Sequence, residues 1–281
     1  MAVFDRVFPM MGWDTVPTPK WQMVPVGGDR YVYLHDGAGL TVTCTKPGAV
    51  EITEVKDIDL PAWYGKRAAQ AGDRIFKLHG KIKDNVEIQA KSGATLKARL
   101  EVDTKNKLTK RVAFHFVKDT AVPAHTTNRS PAEAAEWVKT INYIYQQCNV
   151  EIISKSSVVL PYPGNLGAAV EWTDGTTDGW SKLKAKRDLT ADLNVFQVWE
   201  YEQDGTPGTD NANGGTIDTD KMSIVEDAAS NVHAHTVAHE LGHALGLDDI
   251  GSAAKKHHLM YGASRTGQNL DKSEVNKMNQ A

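Results

Sequence analysis

The sequence contains little cysteine: Cys44 and Cys148 are the only two thiols among 281 residues. Two cysteines roughly a hundred residues apart are too few for a disulfide scaffold, and their spacing does not suit a zinc finger. We interpret both as buried free thiols, because unpaired cysteine is among the residue types most often found buried. A single bridge between the two halves of the chain is the alternative.

Long hydrophobic runs and an excess of charge of one sign are also absent. No apolar run approaches the roughly 20 residues that span a bilayer, and a net charge of −3 gives no basic surface for nucleic acid or anionic lipid. We therefore expect neither a nucleic-acid partner nor a membrane partner. The sequence does not start with a basic segment followed by an apolar stretch, so no signal peptide is predicted. The expected location is then cytoplasmic, or outside the cell by a leaderless route, unless a leader has been removed.

Between residues 30 and 118 the dominant pattern is an alternation of apolar and polar side chains. Such runs occupy residues 31–34, 40–44, 50–55, 75–79, 86–90, 96–102 and 112–117. Turn-forming residues separate them at the spacing of about 8–12 residues that is typical of antiparallel sandwiches. We therefore predict an immunoglobulin-like β-sandwich over 26–120, interrupted by one helix at 61–71. Residues 1–25 are rich in Pro, Trp and Met without periodicity, so we predict an extended N-terminal arm there.

The pattern changes after Lys118. Ser130 as N-cap, Pro131 at the first helical position and Glu133 in the first turn predict the start of a helix. Further strands and helices are predicted from their periodicity at 150–153, 193–199, 222–225, 231–245 and 270–278. Mixed elements after an all-β half predict an α+β fold class, with a second domain over 121–281.

Two histidines one helical turn apart are the candidate metal ligands of the sequence, within His239-Glu240-Leu-Gly-His243. On a helix, His239 and His243 point to the same side, so both imidazoles can bind one ion. Zinc favours such nitrogen ligands. Glu240 follows the first histidine and projects beside the metal, where a carboxylate can act as a general base on a metal-activated water.

The stretch from His239 to Asp249 resembles the extended signature of the metzincin zinc peptidases, His-Glu-x-x-His-x-x-Gly-x-x-His. Gly246 stands at the glycine position, and an aspartate replaces the last histidine, as it does in snapalysin-type enzymes. Further along, Leu-Met260-Tyr resembles the Met-turn that lies under the metal in metzincins, and its residues are closest to those of the matrixin form. The resemblance covers residues 118–281. It implies a metzincin-like catalytic domain with a mixed sheet and an active-site helix.

The resemblance also assigns roles to individual residues: zinc ligands His239, His243 and Asp249, general base Glu240, and supporting methionine Met260. Asp248 is the alternative third ligand if the loop turns differently. Four other histidines are interpreted as loop residues, solvated residues or neighbours of the ligands: His233, His235, His257 and His258.

The function predicted from these residues is that of a zinc-dependent endopeptidase. Zinc polarises the scissile carbonyl and activates a water, and Glu240 takes the proton from that water. The expected partner is a protein or peptide substrate, which pairs in extended form with the edge strand before Met222. Three roles are open for the β-sandwich: it binds a substrate or a partner, serves as an adaptor for secretion or delivery, or covers the active site as an inhibitory domain.

Two other functions are weighed against this one. The first is a binding module whose zinc site is structural or decayed. Glu240 speaks against it, because a purely structural site needs no base beside its ligands. The second is a zinc amidase that acts on a cell-wall peptide, which a substrate screen would distinguish.

Overall fold

A computed structural model describes residues 1–62, 65–172, 178–203, 213–227, 233–262 and 267–280 of the chain. The chain divides into two units. The first unit comprises Met1–Leu108, Tyr145–Val150 and Leu270–Ala281, and the second comprises Thr109–Ile144 and Glu151–Asn269. The predicted domains at 1–25, 26–120 and 121–281 follow the chain in order, whereas the first unit takes in three separate segments. The domain bounds therefore stay a prediction.

Two sheets build the first unit. Their strands are β1 (Val3–Arg6), β2 (Trp13–Asp14), β3 (Trp21–Pro25), β4 (Asp29–His35), β5 (Thr41–Cys44), β6 (Val50–Val55), β7 (Arg74–Gly80), β8 (Asn85–Ser92) and β9 (Thr95–Lys105). One sheet has the order β1-β4-β7-β6 with antiparallel pairs throughout. The other has the order β2-β3-β9-β8-β5, in which β3 and β9 run parallel. The six runs predicted as strands between 31 and 102 are all strands.

One hydrophobic cluster contains buried side chains from both sheets. Its large members include Phe4, Val24, Val32, Leu34, Phe76, Leu78, Ile88 and Leu100. Along β8 the alternation puts Val86, Ile88 and Ala90 inside, as expected for a strand with one face on a core. Two sheets around one core therefore account for the alternating pattern.

Residues 1–25 do not form the predicted extended arm. They supply β1, β2 and β3, and Trp21, Met23 and Val24 are fully buried. Because β3 is buried on both faces, its side chains do not alternate, and the period-two signal is missing there.

Three segments of the chain meet within the first unit. The Leu270 N–H donates to Gln147 Oε1 at 3.2 Å, and the Lys272 N–H donates to Asp14 Oδ2 at 3.0 Å. The side-chain amide of Asn279 donates to the Cys148 carbonyl at 2.7 Å. Residues from the beginning, the middle and the end of the chain are thus tied together.

A five-stranded mixed sheet and three helices build the second unit. Its elements among the described residues are β10 (Leu108–Asp119), α1 (Ala134–Tyr145), β11 (Val150–Tyr162), β12 (Val170–Glu171), α2 (Gly179–Lys184), β13 (Leu193–Val198), β14 (Tyr201–Glu202), β15 (Gly214–Ile217), β16 (Met222–Glu226) and α3 (His233–Ala244). The sheet order is β11-β10-β13-β16-β15. β10, β13 and β16 run parallel, and β15 is an antiparallel edge strand. β12 and β14 form a separate parallel pair.

The strand predicted at 112–117 exists but belongs to a different sheet. Its alternation predicts a strand of the sandwich, whereas β10 pairs with β13 in the second unit. All six of its residues from Val112 to Val117 are buried. This burial on both faces is typical of an inner parallel strand, so alternation predicts the strand without identifying its partner.

The helices follow the predicted signals with one exception. The Ser130 and Glu133 side chains form a reciprocal capping box ahead of α1, with Pro131 in the first turn. Near the C-terminus, α4 (Lys272–Met278) begins at an Asp271 N-cap. The helix predicted at 61–71 is wrong for the described residues 61–62 and 65–71, which are not helical. Among the described residues, four short 3-10 helices occupy Asp57–Asp59, Pro131–Glu133, Asp218–Asp220 and Ala253–Lys255. None of the helices in the described part of the chain has the length and hydrophobicity of a membrane-spanning helix.

Both cysteines are free. Cys148 is fully buried, and this burial raises the pKa of its thiol to about 12. Cys44 is half-buried on β5. The prediction of buried thiols therefore holds fully for Cys148 and partly for Cys44.

The shared core of the first unit predicts a difference between two leucines on its strands. Leu78 on β7 is fully buried in the core cluster, whereas Leu96 on β9 is 44% exposed. Leu78→Ala should lower the free energy of unfolding by about 2–5 kcal/mol, because it leaves a cavity. Leu96→Ala should cost less than about 1 kcal/mol. Urea unfolding of both variants measures the difference, and equal losses would contradict the assigned core.

Candidate metal centre

The centre is built on α3, which packs against β13, β15 and β16 of the second unit. Val237, Ala238 and Leu241 are buried on this helix. The same helix carries His239 and His243, one turn apart, so their rings lie on one side. The sequence pattern therefore fixes both the packing of the helix and the direction of the two imidazoles.

α3 ends in a Schellman motif that turns the chain back. Gly246 has a φ of +91°, a left-handed conformation that glycine adopts without strain. Its N–H donates to the His243 carbonyl at 2.8 Å, and the Leu247 N–H donates to the Gly242 carbonyl at 3.0 Å. This reversal brings Asp249 to the two histidines.

Three potential ligand atoms lie close together at this point. His239 Nε2 is 3.2 Å from His243 Nε2, and Asp249 Oδ1 is 3.3 Å from the first and 3.7 Å from the second. A tetrahedral zinc site with bonds of about 2.0–2.1 Å has edges of about 3.3–3.4 Å between ligand atoms. The three observed distances therefore fit a single zinc ion.

Hydrogen bonds at the other ring nitrogens orient both imidazoles. His239 Nδ1 lies 2.9 Å from the Leu259 carbonyl oxygen, and His243 Nδ1 lies 2.9 Å from the Leu247 carbonyl oxygen. Because a carbonyl oxygen only accepts, each Nδ1 carries the proton. In the neutral rings each Nε2 then has a lone pair directed at the centre, which is the form that binds a metal.

The three groups differ in exposure. His239 is 3% exposed, whereas the Asp249 side chain is 63% exposed and that of His243 lies between them. One side of the centre is therefore closed by protein, and the side at Asp249 is open to solvent. Asp248 is also exposed but does not belong to the group of three.

Glu240 lies beside this group rather than within it. It is 2% exposed, and its Oε2 is 2.8 Å from the Thr216 hydroxyl on the edge strand β15. A Cβ at Gly214, on the same strand, would lie 3.1 Å from Glu240 Oε1. The carboxylate is thus held between α3 and β15.

Met260 is fully buried against α3. A Cβ at Gly242 would lie 2.7 Å from Met260 Sδ, so only glycine allows this approach. The Ile250 N–H donates to the Met260 carbonyl at 2.7 Å. The segment after Asp249 is therefore fastened to the segment that contains Met260.

The four other histidines do not join the group formed by His239, His243 and Asp249. His257 is exposed and His258 is half-buried. His235 Nε2 lies 3.1 Å from the Gln268 side-chain nitrogen. His233 is buried at the start of α3, with Nε2 2.7 Å from Gln197 Oε1 and its ring 4.8 Å from that of Trp137.

Thr216 and Gly214 are functional neighbours that no sequence pattern predicts. Both contact Glu240 across the space between a strand and a helix, and that contact depends on the register of β15 against β16. A Gly-Gly-Thr run has no chemical signature of its own. Only the structure identifies these two residues as neighbours of the carboxylate.

Comparison with known proteins gives distant structural likenesses. Neither a protein-family model nor a curated protein matches the chain. A zinc-dependent peptidase from Methanocorpusculum labreanum is similar over 61% of this chain and 94% of its own, with 14% identity and a TM-score of 0.34. A chain of a chaperone–substrate complex is similar over 73% of this chain and 37% of its own, with 14% identity and a TM-score of 0.42.

A third solved structure, that of the S-layer protein rSbsC, is similar over 37% of this chain and 12% of its own. Its identity is 12% and its TM-score 0.22. This chain thus spans about a third of the matching chain of the chaperone complex and about an eighth of the S-layer protein. At these scores none of the three likenesses defines the fold or the function.

The buried His233 predicts a pH dependence of stability. Burial, and secondarily the charge of Arg129, lower its pKa from the ordinary 6.5 to about 4. Between these values the unfolded chain binds a proton that the folded chain does not, so stability falls as the pH falls from about 6.5 to about 4. At about 1.4 kcal/mol for each pKa unit, the loss has an upper limit of about 3.5 kcal/mol.

Urea unfolding of the metal-free protein at about pH 7 and at about pH 4.5 measures this loss, because these two conditions bracket most of the titration of His233. His233→Gln keeps an amide donor near the Nε2 position without a titratable ring. We expect a smaller loss between the two pH values in this variant than in the wild type. An equal loss in both proteins would show that His233 does not contribute.

Proposed function

We propose that this chain is a zinc-dependent endopeptidase of the metzincin type. His239, His243 and Asp249 hold the zinc, and Glu240 is the general base. The observation that carries the proposal is the geometry of these residues. Three ligand atoms lie at distances that fit a tetrahedral zinc site. The buried carboxylate of Glu240 directly follows the ligand His239 on α3.

The donor set favours zinc, because two imidazole nitrogens and one carboxylate oxygen suit this ion. When bound, zinc supplies a Lewis acid that polarises the scissile carbonyl and makes water more acidic. Glu240 takes a proton from the attacking water and delivers it to the leaving amine. With three protein ligands, a coordination position remains for water or substrate, which distinguishes a catalytic site from a closed structural one.

The edge strand β15 supports an extended peptide as substrate. The Glu226 N–H donates to the Asn213 carbonyl at 3.1 Å, so residues 213 and 226 form a hydrogen-bonded pair. Such pairs alternate along an antiparallel ladder. The N–H and C=O groups of Gly214 and Thr216 are therefore directed away from β16, where an extended chain can pair with them by β-augmentation.

The metzincin fold of the second unit is part of the proposal. It is supported by the order of elements within that unit, which includes α1, β11, β13, the edge strand β15, β16, α3 and the segment that contains Met260. For the first unit we propose an immunoglobulin-like sandwich that binds a substrate or a secretion or delivery partner. Two sheets around one core support the sandwich. The proposed function involves neither nucleic acid nor a membrane.

The role of Glu240 predicts that zinc binding and cleavage can be separated. The zinc-loaded wild type should contain one zinc per chain and cleave a peptide library, and a chelator should abolish cleavage. Glu240→Gln should keep the zinc, because Glu240 is not a ligand, and lose at least about a hundredfold in kcat. Metal analysis and peptide mass spectrometry measure both quantities.

Glu136→Gln is the matched control, because it makes the same change on the exposed surface of α1 and should leave cleavage unchanged. A wild type that binds zinc but cleaves nothing would favour a binding module. Cleavage of cell-wall peptides without cleavage of proteins would favour an amidase. A chain that binds no zinc would contradict the proposal.

The two neighbouring aspartates predict a second difference. Asp249→Asn should weaken zinc binding by about ten- to a hundredfold, because a coordinating carboxylate loses its charge. Asp248→Asn should change the zinc dissociation constant by less than about threefold, a difference of under about 0.7 kcal/mol. Competition with a chromophoric chelator gives both constants. A larger effect at Asp248 would reassign the third ligand.

A further inference from the structure

The hydroxyl of Thr216 lies at the junction of two strands and the active-site helix. Its Oγ1 is 2.8 Å from Glu240 Oε2 and 2.8 Å from Ser223 Oγ. Thr216 and Ser223 are directly opposite on β15 and β16, at a non-hydrogen-bonded position where side chains approach closely. The three polar groups are therefore in contact on the face of the sheet that α3 covers.

The protons of these groups can be assigned by counting. Thr216 has one hydroxyl proton, and three oxygens lie where they can accept it: Glu240 Oε2 at 2.8 Å, the Glu240 backbone carbonyl at 3.0 Å and Ser223 Oγ at 2.8 Å. The charged carboxylate is the strongest acceptor. If Thr216 gives its proton to this carboxylate, it cannot also donate to Ser223 Oγ, and the 2.8 Å contact is then made by the Ser223 hydroxyl donating to Thr216 Oγ1. Each hydrogen bond in such a chain polarises the next.

Burial makes this contact important for Glu240. The residue is 2% exposed, and removing an ionised carboxylate from water is costly unless hydrogen bonds replace the lost hydration. The Thr216 hydroxyl is one group that does so. Because the bond has a fixed donor on a paired strand, it also sets where the carboxylate lies.

The second neighbour of the carboxylate on β15 is a backbone without a side chain. A Cβ at Gly214 would lie 3.1 Å from Glu240 Oε1 and 2.7 Å from the Ile224 carbonyl oxygen. Glu240 is thus held between the backbone of Gly214 and the hydroxyl of Thr216. These are the two residues whose own backbone groups face away from β16.

We propose that Thr216 is a positioning residue, whose hydroxyl holds the Glu240 carboxylate in a fixed place relative to the edge strand that binds the substrate. The inference rests on the proposed function. It assigns two tasks to one residue: the backbone of Thr216 pairs with the substrate, and its side chain holds the base. The distance between the base and the scissile bond then follows from the geometry of a single residue.

The test compares Thr216→Val, which removes the hydroxyl at nearly constant shape, with Thr216→Ser, which keeps it. Thr219→Val makes the same change on an exposed threonine outside β15 and is the control. For each full-length, zinc-loaded protein we would measure zinc content, free energy of unfolding, and kcat and KM on a peptide that the wild type cleaves. Crystal structures of the wild type and both Thr216 variants give the position of Glu240.

We expect Thr216→Val to bind one zinc and to lower kcat about 10- to 100-fold, since a hydrogen bond to a charged group is lost. KM should change by less than about threefold, because the backbone that pairs with substrate is unchanged. Thr216→Ser should recover most of kcat. In the crystals, Glu240 should rotate away in Thr216→Val and keep its place in Thr216→Ser.

A Thr216→Val protein with the kcat of the wild type would overturn the inference. So would a Thr216→Ser protein as impaired as Thr216→Val, because the methyl group and not the hydroxyl would then matter. A wild type without zinc or cleavage would refute the proposed function instead. In that case the crystal structures still decide on Thr216, since an unmoved Glu240 in Thr216→Val overturns its positioning role.

Discussion

The candidate centre depends on two hydrogen bonds from the imidazoles of His239 and His243 to backbone carbonyls. Each Nδ1 donates to a carbonyl, one at Leu259 and one at Leu247. Both carbonyls belong to the chain that follows α3, after its reversal at Gly246. The same reversal delivers Asp249. The turn after α3 therefore supplies the third potential ligand and fixes the tautomer of His243, and the later segment at Leu259 fixes that of His239.

The other side of the centre depends on a small contact between helix and strand. Glu240 reaches β15 because Gly214 has no side chain and Thr216 offers a hydroxyl. β15 is also the edge of the mixed sheet. In the proposed function, the residues that orient the carboxylate are thus the same residues that offer backbone groups to a peptide. A change in the register of this strand would alter both at once.

Much of the local structure could be predicted from the sequence, because its signals are local. Alternation predicts every strand from β4 to β10, and the capping residues predict the start of α1. The spacing of His239 and His243 predicts two rings on one side of a helix, and Gly246 predicts the turn that brings Asp249 back. What could not be predicted is which strands meet. β10 alternates like its neighbours in sequence but pairs with β13, and β3 shows no alternation because it is buried on both faces. Thr216 was missed for the same reason, since its contact with Glu240 is set by register.

The composition of the first unit has a consequence for the order in which the protein assembles. Its strands come from the first 108 residues, yet hydrogen bonds tie them to residues 145–150 and 270–280. During synthesis, residues 270–280 emerge from the ribosome only after residues 109–269 have been made. The unit whose synthesis begins first is therefore completed last, after the second unit has been synthesised. Contacts across such a long stretch of sequence slow folding, and an incomplete first unit is open to non-native association.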